Sequence, residues 1–317
     1  MNVPVFDLHC DTAFVLATDR SADMPSLRNN SYCIDLNWAK NLPGYVQCFA
    51  CFTSALLNIP EYNSIEQLFE KEKATILDQI AINSDLISLA GSKNDILKNH
   101  QNGFMSAILT IENPAGFSCD PGRLEDLYKT GFRISNLGWN DANLLAGSHI
   151  TGGGLTELGR AYVREIQRLG MLIDVSHSSD DAFWNVIAIT QGPVIASHSN
   201  SRAVRNVSRN LTDDMFRAIC ETGGLVGMNL YTDFLGPEAT LDTVADHVLH
   251  FLDLDPQGKH IALGGDLDGC DSLPEGFSNV ADYSKLADTL LHRGLSDTMI
   301  YDIFWNNAMG VMERCCM

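Results

Sequence analysis

The chain is poor in positive charge. Its 21 Lys and Arg stand against 40 Asp and Glu, a formal net charge of −19, and they gather in no basic cluster. A nucleic-acid partner would need such a cluster to overcome the repulsion, so that function class is excluded. Long apolar runs are missing too: none reaches the ~18 residues of a membrane span. No basic segment, apolar segment and cleavage site open the chain as in a secretory signal, so a cytoplasmic location is expected. The nine Cys are scattered and odd in number, which favours reduced thiols over a disulfide framework. Cys48 and Cys51 form a C-x-x-C with no second pair at zinc-finger spacing, inside an apolar run, and read as buried thiols. No G-x-G-x-x-G follows the first apolar stretch, which argues against a dinucleotide site. Solenoid repeats, low-complexity tracts and Pro/Ser linkers are absent, so residues 1–317 read as one domain.

What is present is an alternation. Hydrophobic residues make up 45% of the chain, enough for a sizeable core. Apolar strand-like runs fall at 3–9, 44–53, 105–112, 131–137, 171–177, 193–198, 224–230 and 260–265. Amphipathic helical stretches fall at 64–88, 121–130, 154–169, 179–190, 212–222, 240–253, 281–292 and 296–313. Asp120-Pro121, Ser178-Ser179 and Thr212-Asp213 mark helix starts, and Gly131, Gly170, Gly223 and Gly294 mark stops. Strands separated by helices pair in parallel through right-handed crossovers. Eight such units predict a closed (β/α)8 (TIM) barrel of the metal-dependent hydrolase type, with an open doubly wound sheet as the alternative.

Barrel active sites lie at the C-terminal ends of strands, where this chain concentrates its metal-ligating residue types. The first run ends in His9-Cys10-Asp11; on a strand, His9 and Asp11 share a face. The third ends in Glu112, the fifth in His177, the sixth in His198, and the eighth in Asp266-Leu267-Asp268. A lone His at a strand end is usually a satisfied polar residue. Five strands all delivering His, Asp or Glu at the same end are hard to get by chance, and such residues rarely face one interior unless they bind something. His9 and Asp11 would hold one divalent ion, His177 and His198 a second, and Glu112 would bridge them. Asp174 either orients an imidazole or belongs to a buried hydrogen-bond network. Water shared by two such ions supplies hydroxide at neutral pH, and hydrolysis of an amide then needs a proton shuttle. Asp266 is placed for that role, with Asp268 second. Arg202, Arg205 and Arg209 follow His198, and any of them could grip a substrate carboxylate.

The set Asp7-Leu8-His9-Cys10-Asp11-Thr12, Ile111-Glu112-Asn113, Ile173-Asp174-Val175-Ser176-His177, the block from Pro193 to Asp214, and Gly265-Asp266-Leu267-Asp268-Gly269 resembles the membrane (renal) dipeptidase family, the M19 metallopeptidases. The resemblance covers residues 5–310. It implies a (β/α)8 barrel with two zinc ions that hydrolyses dipeptides, some with a C-terminal D-residue, by attack of a metal-bridging hydroxide. It implies His9 and Asp11 on one zinc, His177 and His198 on the other, Glu112 between them and Asp266 as acid/base. It also selects Arg209 as the carboxylate anchor and places Tyr231 against substrate. Trp139 stands where the family often has a substrate-contacting His, which leaves the preferred dipeptide open. The family further implies a homodimer; the mammalian members' secretion signal and lipid anchor are not seen here. A cyclic amidase, phosphoesterase or deaminase on the same barrel is the rival enzyme. The opening His9-Cys10-Asp11 in place of His-x-His, and the lack of a bridging lysine, argue against it. A non-catalytic metal-binding barrel is the remaining alternative.

Overall fold

The apolar runs become the staves of a parallel barrel. The structure, a computed structural model, describes every residue except 21–25, 58, 60, 61, 316 and 317, so Cys316 lies outside the described residues. The strands are β1 (Val5–Cys10), β2 (Tyr45–Phe52), β3 (Ile87–Leu89), β4 (Met105–Glu112), β5 (Phe132–Asn136), β6 (Leu172–Asp174), β7 (Val194–Ala196), β8 (Leu225–Met228) and β9 (Ile261–Leu263). Eight of them close a ring in the order β1, β2, β4, β5, β6, β7, β8, β9 and back to β1.

The ninth, β3, is an addition outside the ring. It pairs with the lower half of β4, from Ile87↔Met105 to Leu89↔Ala107, and β5 takes over that edge from Leu109 upward. The stretch 64–88, expected as one helix, therefore divides. Its helix is Ile65–Ile82, and Asn83 turns the chain by accepting from Leu86 N and Ile87 N. The stretch 296–313 is also interrupted, by a π turn at Asp302–Asn306. Four helices that the periodicity did not predict, Thr12–Thr18, Leu36–Ala39, Lys93–Gln101 and Thr232–Leu235, fill the connections after β1, before β2, after β3 and after β8 among the described residues.

Capping follows the sequence signals. Ser179 and Thr212 each accept from the backbone N–H three residues on, at 3.0 and 3.2 Å. Gly170 and Gly223 end their helices with φ of +73° and +75°, a conformation costly for a side chain with Cβ.

The barrel interior takes residues from every ring strand: Phe6, Leu8, Val46, Cys48, Ile108, Ile134, Leu172, Ile195, Leu225 and Ala262. Trp305, Met309 and Met312 of the C-terminal segment pack into the same cluster, with Trp305 edge-on to Phe6. A larger layer joins the outer faces of the strands to the helices. Cys48 and Cys51 are fully buried, and no disulfide joins the described cysteines. Among the described residues no helix is long and apolar enough to cross a membrane.

One irregularity positions the site. From Asp7↔Gln47 to Cys10↔Phe49, β1 advances three residues while β2 advances two. Such a bulge reverses the alternation of faces beyond it. Before it, Phe6 and Leu8 face the interior, while Asp7 faces outward and accepts from Tyr283 Oη on a surrounding helix. After it, His9 faces inward.

Candidate metal centre and substrate cleft

His9, Glu112, His177, His198 and Asp266 meet at the C-terminal rim, joined there by Asp11. Glu112 occupies the middle. It lies on β4 in alternation with interior-facing Ile108, so its carboxylate enters the barrel. Its Oε2 is 3.1 Å from His9 Nε2, and its Oε1 is 3.1 Å from His177 Nε2 and 3.8 Å from His198 Nε2. Asp11 lies just past β1 as the residue before the helix Thr12–Thr18, not on the strand, and its Oδ2 is 3.8 Å from His9 Nε2. Asp266 Oδ1 is also 3.8 Å from His9 Nε2. Two ligand groups emerge, His9–Glu112–His198 and His9–Asp11–Asp266, with all donor atoms of each within 4.8 Å.

Two hydrogen-bond chains fix the imidazoles. Asn140 Oδ1, which can only accept, is 3.0 Å from His177 Nδ1, so that nitrogen carries the proton. On the other ring, Asp174 Oδ2 accepts from Ser197 Oγ at 2.5 Å, and Ser197 Oγ is 2.7 Å from His198 Nδ1. With its proton committed to Asp174, Ser197 accepts from His198 Nδ1–H. The imidazole that Asp174 orients is thus His198, through Ser197. Both rings then aim an unprotonated Nε2 inward, and these two nitrogens sit 3.0 Å apart.

Two lone pairs facing each other at that distance repel unless a cation lies between or beside them. Asp11 Oδ1 is likewise buried without a hydrogen-bond partner among the described residues, and His9 Nε2 faces Glu112 Oε2 at 3.1 Å without hydrogen-bond alignment. Imidazole nitrogens and carboxylates are the donor set of zinc-type ions, and the shielded Nδ1 positions are the outer contacts such ligands require. The residues present fit a pair of divalent cations.

The buried charges of the cluster shift one another's protonation. Burial lowers the pKa of His9, but the Glu112 and Asp11 carboxylates outweigh it and raise the pKa well above the usual value. Burial pushes Glu112 up to about 7 and Asp266 up to about 6, with Asp11 adding to both. His177 and His198 fall well below the imidazole range, by burial first and then through neighbouring positive groups.

The backbone at the rim is strained where function would need it. His177 and Asp266 have φ of +67° and +57°, sparsely populated for residues with a Cβ. Asp266 Oδ2 accepts from Asn229 Nδ2 at 2.9 Å, which leaves Oδ1 facing His9. Asp268 is committed elsewhere: its two oxygens accept from Thr12 Oγ1 at 2.7 Å and Cys33 N at 2.6 Å, tying the loop down.

A cleft of about 370 Å³ opens above the cluster, lined by Phe14, Phe52, Trp139, Tyr231, Phe234 and Asp266 among others. Trp139 and Tyr231 both reach it. Arg209 does not stand on its open wall. It is buried behind the His pair, with Nη1 on Ser199 Oγ at 2.7 Å, Nη2 on His198 O at 2.9 Å, and Nε without an acceptor among the described residues. Among the described residues Arg202 pairs with Asp180 and Arg205 reaches the Asp233 carbonyl, while Arg209 is the one of the three that contacts the backbone of a candidate ligand, His198. A larger hollow of about 620 Å³ near Arg168, Pro193 and Arg314 has no His, Asp or Glu in its lining.

Sequence reasoning missed Asn140, His149 and Ser197. His149 Nε2 meets the same Asn140 Oδ1 at 2.9 Å, and its Nδ1 meets Ser208 Oγ at 3.0 Å, beside Arg209. Burial, with Arg209 and Arg202 nearby, lowers the His149 pKa to about 4. Ser197 had a signal, since it immediately precedes a candidate ligand; Asn140 and His149 had none.

The model of the membrane dipeptidase family, peptidase family M19, matches residues 1–315. An uncharacterized dipeptidase of Schizosaccharomyces pombe is 35% identical over 70% of this chain, which spans 55% of that protein's length. An uncharacterized protein in the pqqA 5′ region of Klebsiella pneumoniae is 32% identical over 77% of this chain and 94% of its own length. A Rhodobacter sphaeroides metallopeptidase, solved with a phosphinate mimic of the dipeptide L-Ala-D-Ala, superposes with a TM-score of 0.89 over 99% of this chain and 100% of its own, at 23% identity. The chain belongs to the membrane dipeptidase family of metallopeptidases, M19.

Proposed function

We propose that the protein is a zinc-dependent dipeptidase, accepting dipeptides that include some with a C-terminal D-residue. The observation that carries this is Glu112, one carboxylate shared at 3.1 Å between His9 on one oxygen and His177 on the other, within a chain of this family. His9 and Asp11 would hold one ion, His177 and His198 the other, and Glu112 both. When bound, two such ions lower the pKa of water and polarise a scissile carbonyl.

The chain's own residues supply the rest. Arg209 would take the substrate carboxylate: its Nε is a buried donor lacking an acceptor among the described residues, and Ser199 Oγ and His198 O hold the rest of its guanidinium behind the His pair. Asp266 Oδ1 moves the proton to the leaving amine, while Asn229 holds the opposite oxygen in place. The Asn140 and Ser197 hydrogen bonds keep His177 and His198 in one tautomer throughout. The scattered cysteines, unbridged among the described residues, support a reducing, cytoplasmic setting.

The test is a panel on the zinc-loaded protein: free dipeptides of both C-terminal configurations, tripeptides, phosphoesters and cyclic amides. Cleavage confined to free dipeptides is expected. Turnover of phosphoesters or cyclic amides in their place would move the protein to the rival amidohydrolase reading.

A further inference from the structure

We infer that the cleft selects its dipeptides by the amino-terminal residue and favours a large apolar or aromatic side chain there. The inference rests on the dipeptidase reading above. Its physical basis is a wall of three rings and Leu57 on one side of the cleft, set against a single Tyr231–Phe234 pair with acidic neighbours on the other. Phe14 packs edge-on to Phe52 with ring centroids 5.6 Å apart, and Phe52 packs edge-on to Trp139 at 5.0 Å. Leu57 continues the same side of the cleft. Phe52 is almost fully buried and anchors the wall, while Phe14, Leu57 and Trp139 are half-buried.

Ring order fixes the orientation of a bound substrate. Phe52 ends β2, and Phe14 follows β1 in the helix Thr12–Thr18. Arg209 comes from the connection after β7, four places round the eight-strand ring from β2 and therefore opposite it. A dipeptide whose carboxylate reaches Arg209 and whose peptide bond lies over Glu112 must send its amino-terminal residue toward β1 and β2. There its side chain meets Phe14, Phe52 and Trp139, and each apolar surface removes the other from water. The carboxyl-terminal side chain stays on the side of Tyr231, Phe234, Cys270 and Asp271, a mixed wall in which one pair of packed rings adjoins a carboxylate and a thiol.

The test compares two substrate series on the zinc-loaded protein. In one, Gly, Ala, Leu and Phe vary at the amino-terminal position before a constant Ala. In the other, they vary at the carboxyl-terminal position after a constant Ala. From the usual discrimination of a hydrophobic pocket, kcat/KM should rise about 10- to 100-fold from Gly to Leu or Phe in the first series. It should change much less in the second. Phe14→Ala should collapse the Leu-to-Gly ratio of the first series, and Phe14→Leu should retain most of it; thermal melting checks that both variants fold. Inhibition by phosphinate dipeptide mimics carrying the same side chains should follow the same order. Cleavage with a flat first series, or with the second series as steep as the first, overturns this inference and leaves the dipeptidase reading standing. If no dipeptide is cleaved, the dipeptidase reading falls and the inference falls with it.

Discussion

Replacing Gly269 with Ala should disable the His9–Asp11 half of the centre while leaving the barrel folded. A Cβ built on Gly269 lies 2.0 Å from Asp11 Oδ2 and 2.7 Å from Asp266 Oδ1. Ordinary contact begins near 3.4 Å, so the Asp11 oxygen must retreat by about 3.4 − 2.0 = 1.4 Å. For stability this is a small matter. Gly269 does not occupy the left-handed region, and the displaced atoms are side-chain ends that can rotate. A loss of about 1 kcal/mol, ordinary for a single substitution, is expected. For a metal ligand the same shift is severe, because coordination distances tolerate only about 0.2 Å. A misplacement of ~1 Å costs on the order of 100-fold in rate. Three readings on one preparation test the argument: zinc per chain after desalting, kcat/KM on a dipeptide, and Tm of the metal-free form. The metal-free form is used because lost zinc would itself lower Tm. The expected result is reduced zinc, activity down by about 100-fold or more, and a metal-free Tm within a few degrees of native. Native zinc content with native activity would refute Asp11 as a ligand.

Other perturbations separate the remaining roles. Asp266→Asn should keep both metals and lose roughly 10²–10⁴-fold in kcat, the usual worth of an acid/base group; loss of zinc, partly restored by excess metal, would make Asp266 a ligand instead. Amidating the substrate carboxylate, or Arg209→Lys, should each raise KM and lower kcat/KM, since an ammonium lacks the planar fork; equal cleavage of free and amidated dipeptides would remove the anchor. Zinc affinity should rise with pH through the neutral range. Glu112 titrates near 7, so at pH 6 the metals must displace a carboxyl proton that is largely gone by pH 8, and His9, held protonated above the ordinary imidazole range, must give up its own proton throughout. Calorimetric titration in buffers of different ionisation enthalpy reads that proton release, and pH-independent binding would contradict the charge states derived for the cluster.

The barrel was legible because eight apolar runs alternate with amphipathic segments, and most of the predicted helix limits fall within a few residues of those observed. Strand lengths were not. The runs at 171–177 and 193–198 contribute only Leu172–Asp174 and Val194–Ala196 to the ladder, since the chain leaves the sheet to aim His177 and His198 inward. The pairing of His9 with Asp11 was anticipated for a reason that the structure revises. They share a site through a bulge in β1 and a turn after it, not by sitting two apart on one regular strand. The alternation that faces Glu112 inward is regular, and the sequence sufficed for it. Asn140 and His149 were invisible, because their role depends on a loop bringing them to His177 across tens of residues, and polar residue types are common in any loop. β3 was hidden inside a helical periodicity that Asn83 breaks.

The central claim is that one carboxylate, Glu112, is shared by two metal sites. Elemental analysis of the native protein and of Glu112→Gln, each reconstituted with excess zinc and desalted, tests it most directly. The account predicts about two zinc ions per chain in the native protein and weakened retention of both in the variant. One ion or none in the native protein, or a variant that loses only a single ion, would contradict it.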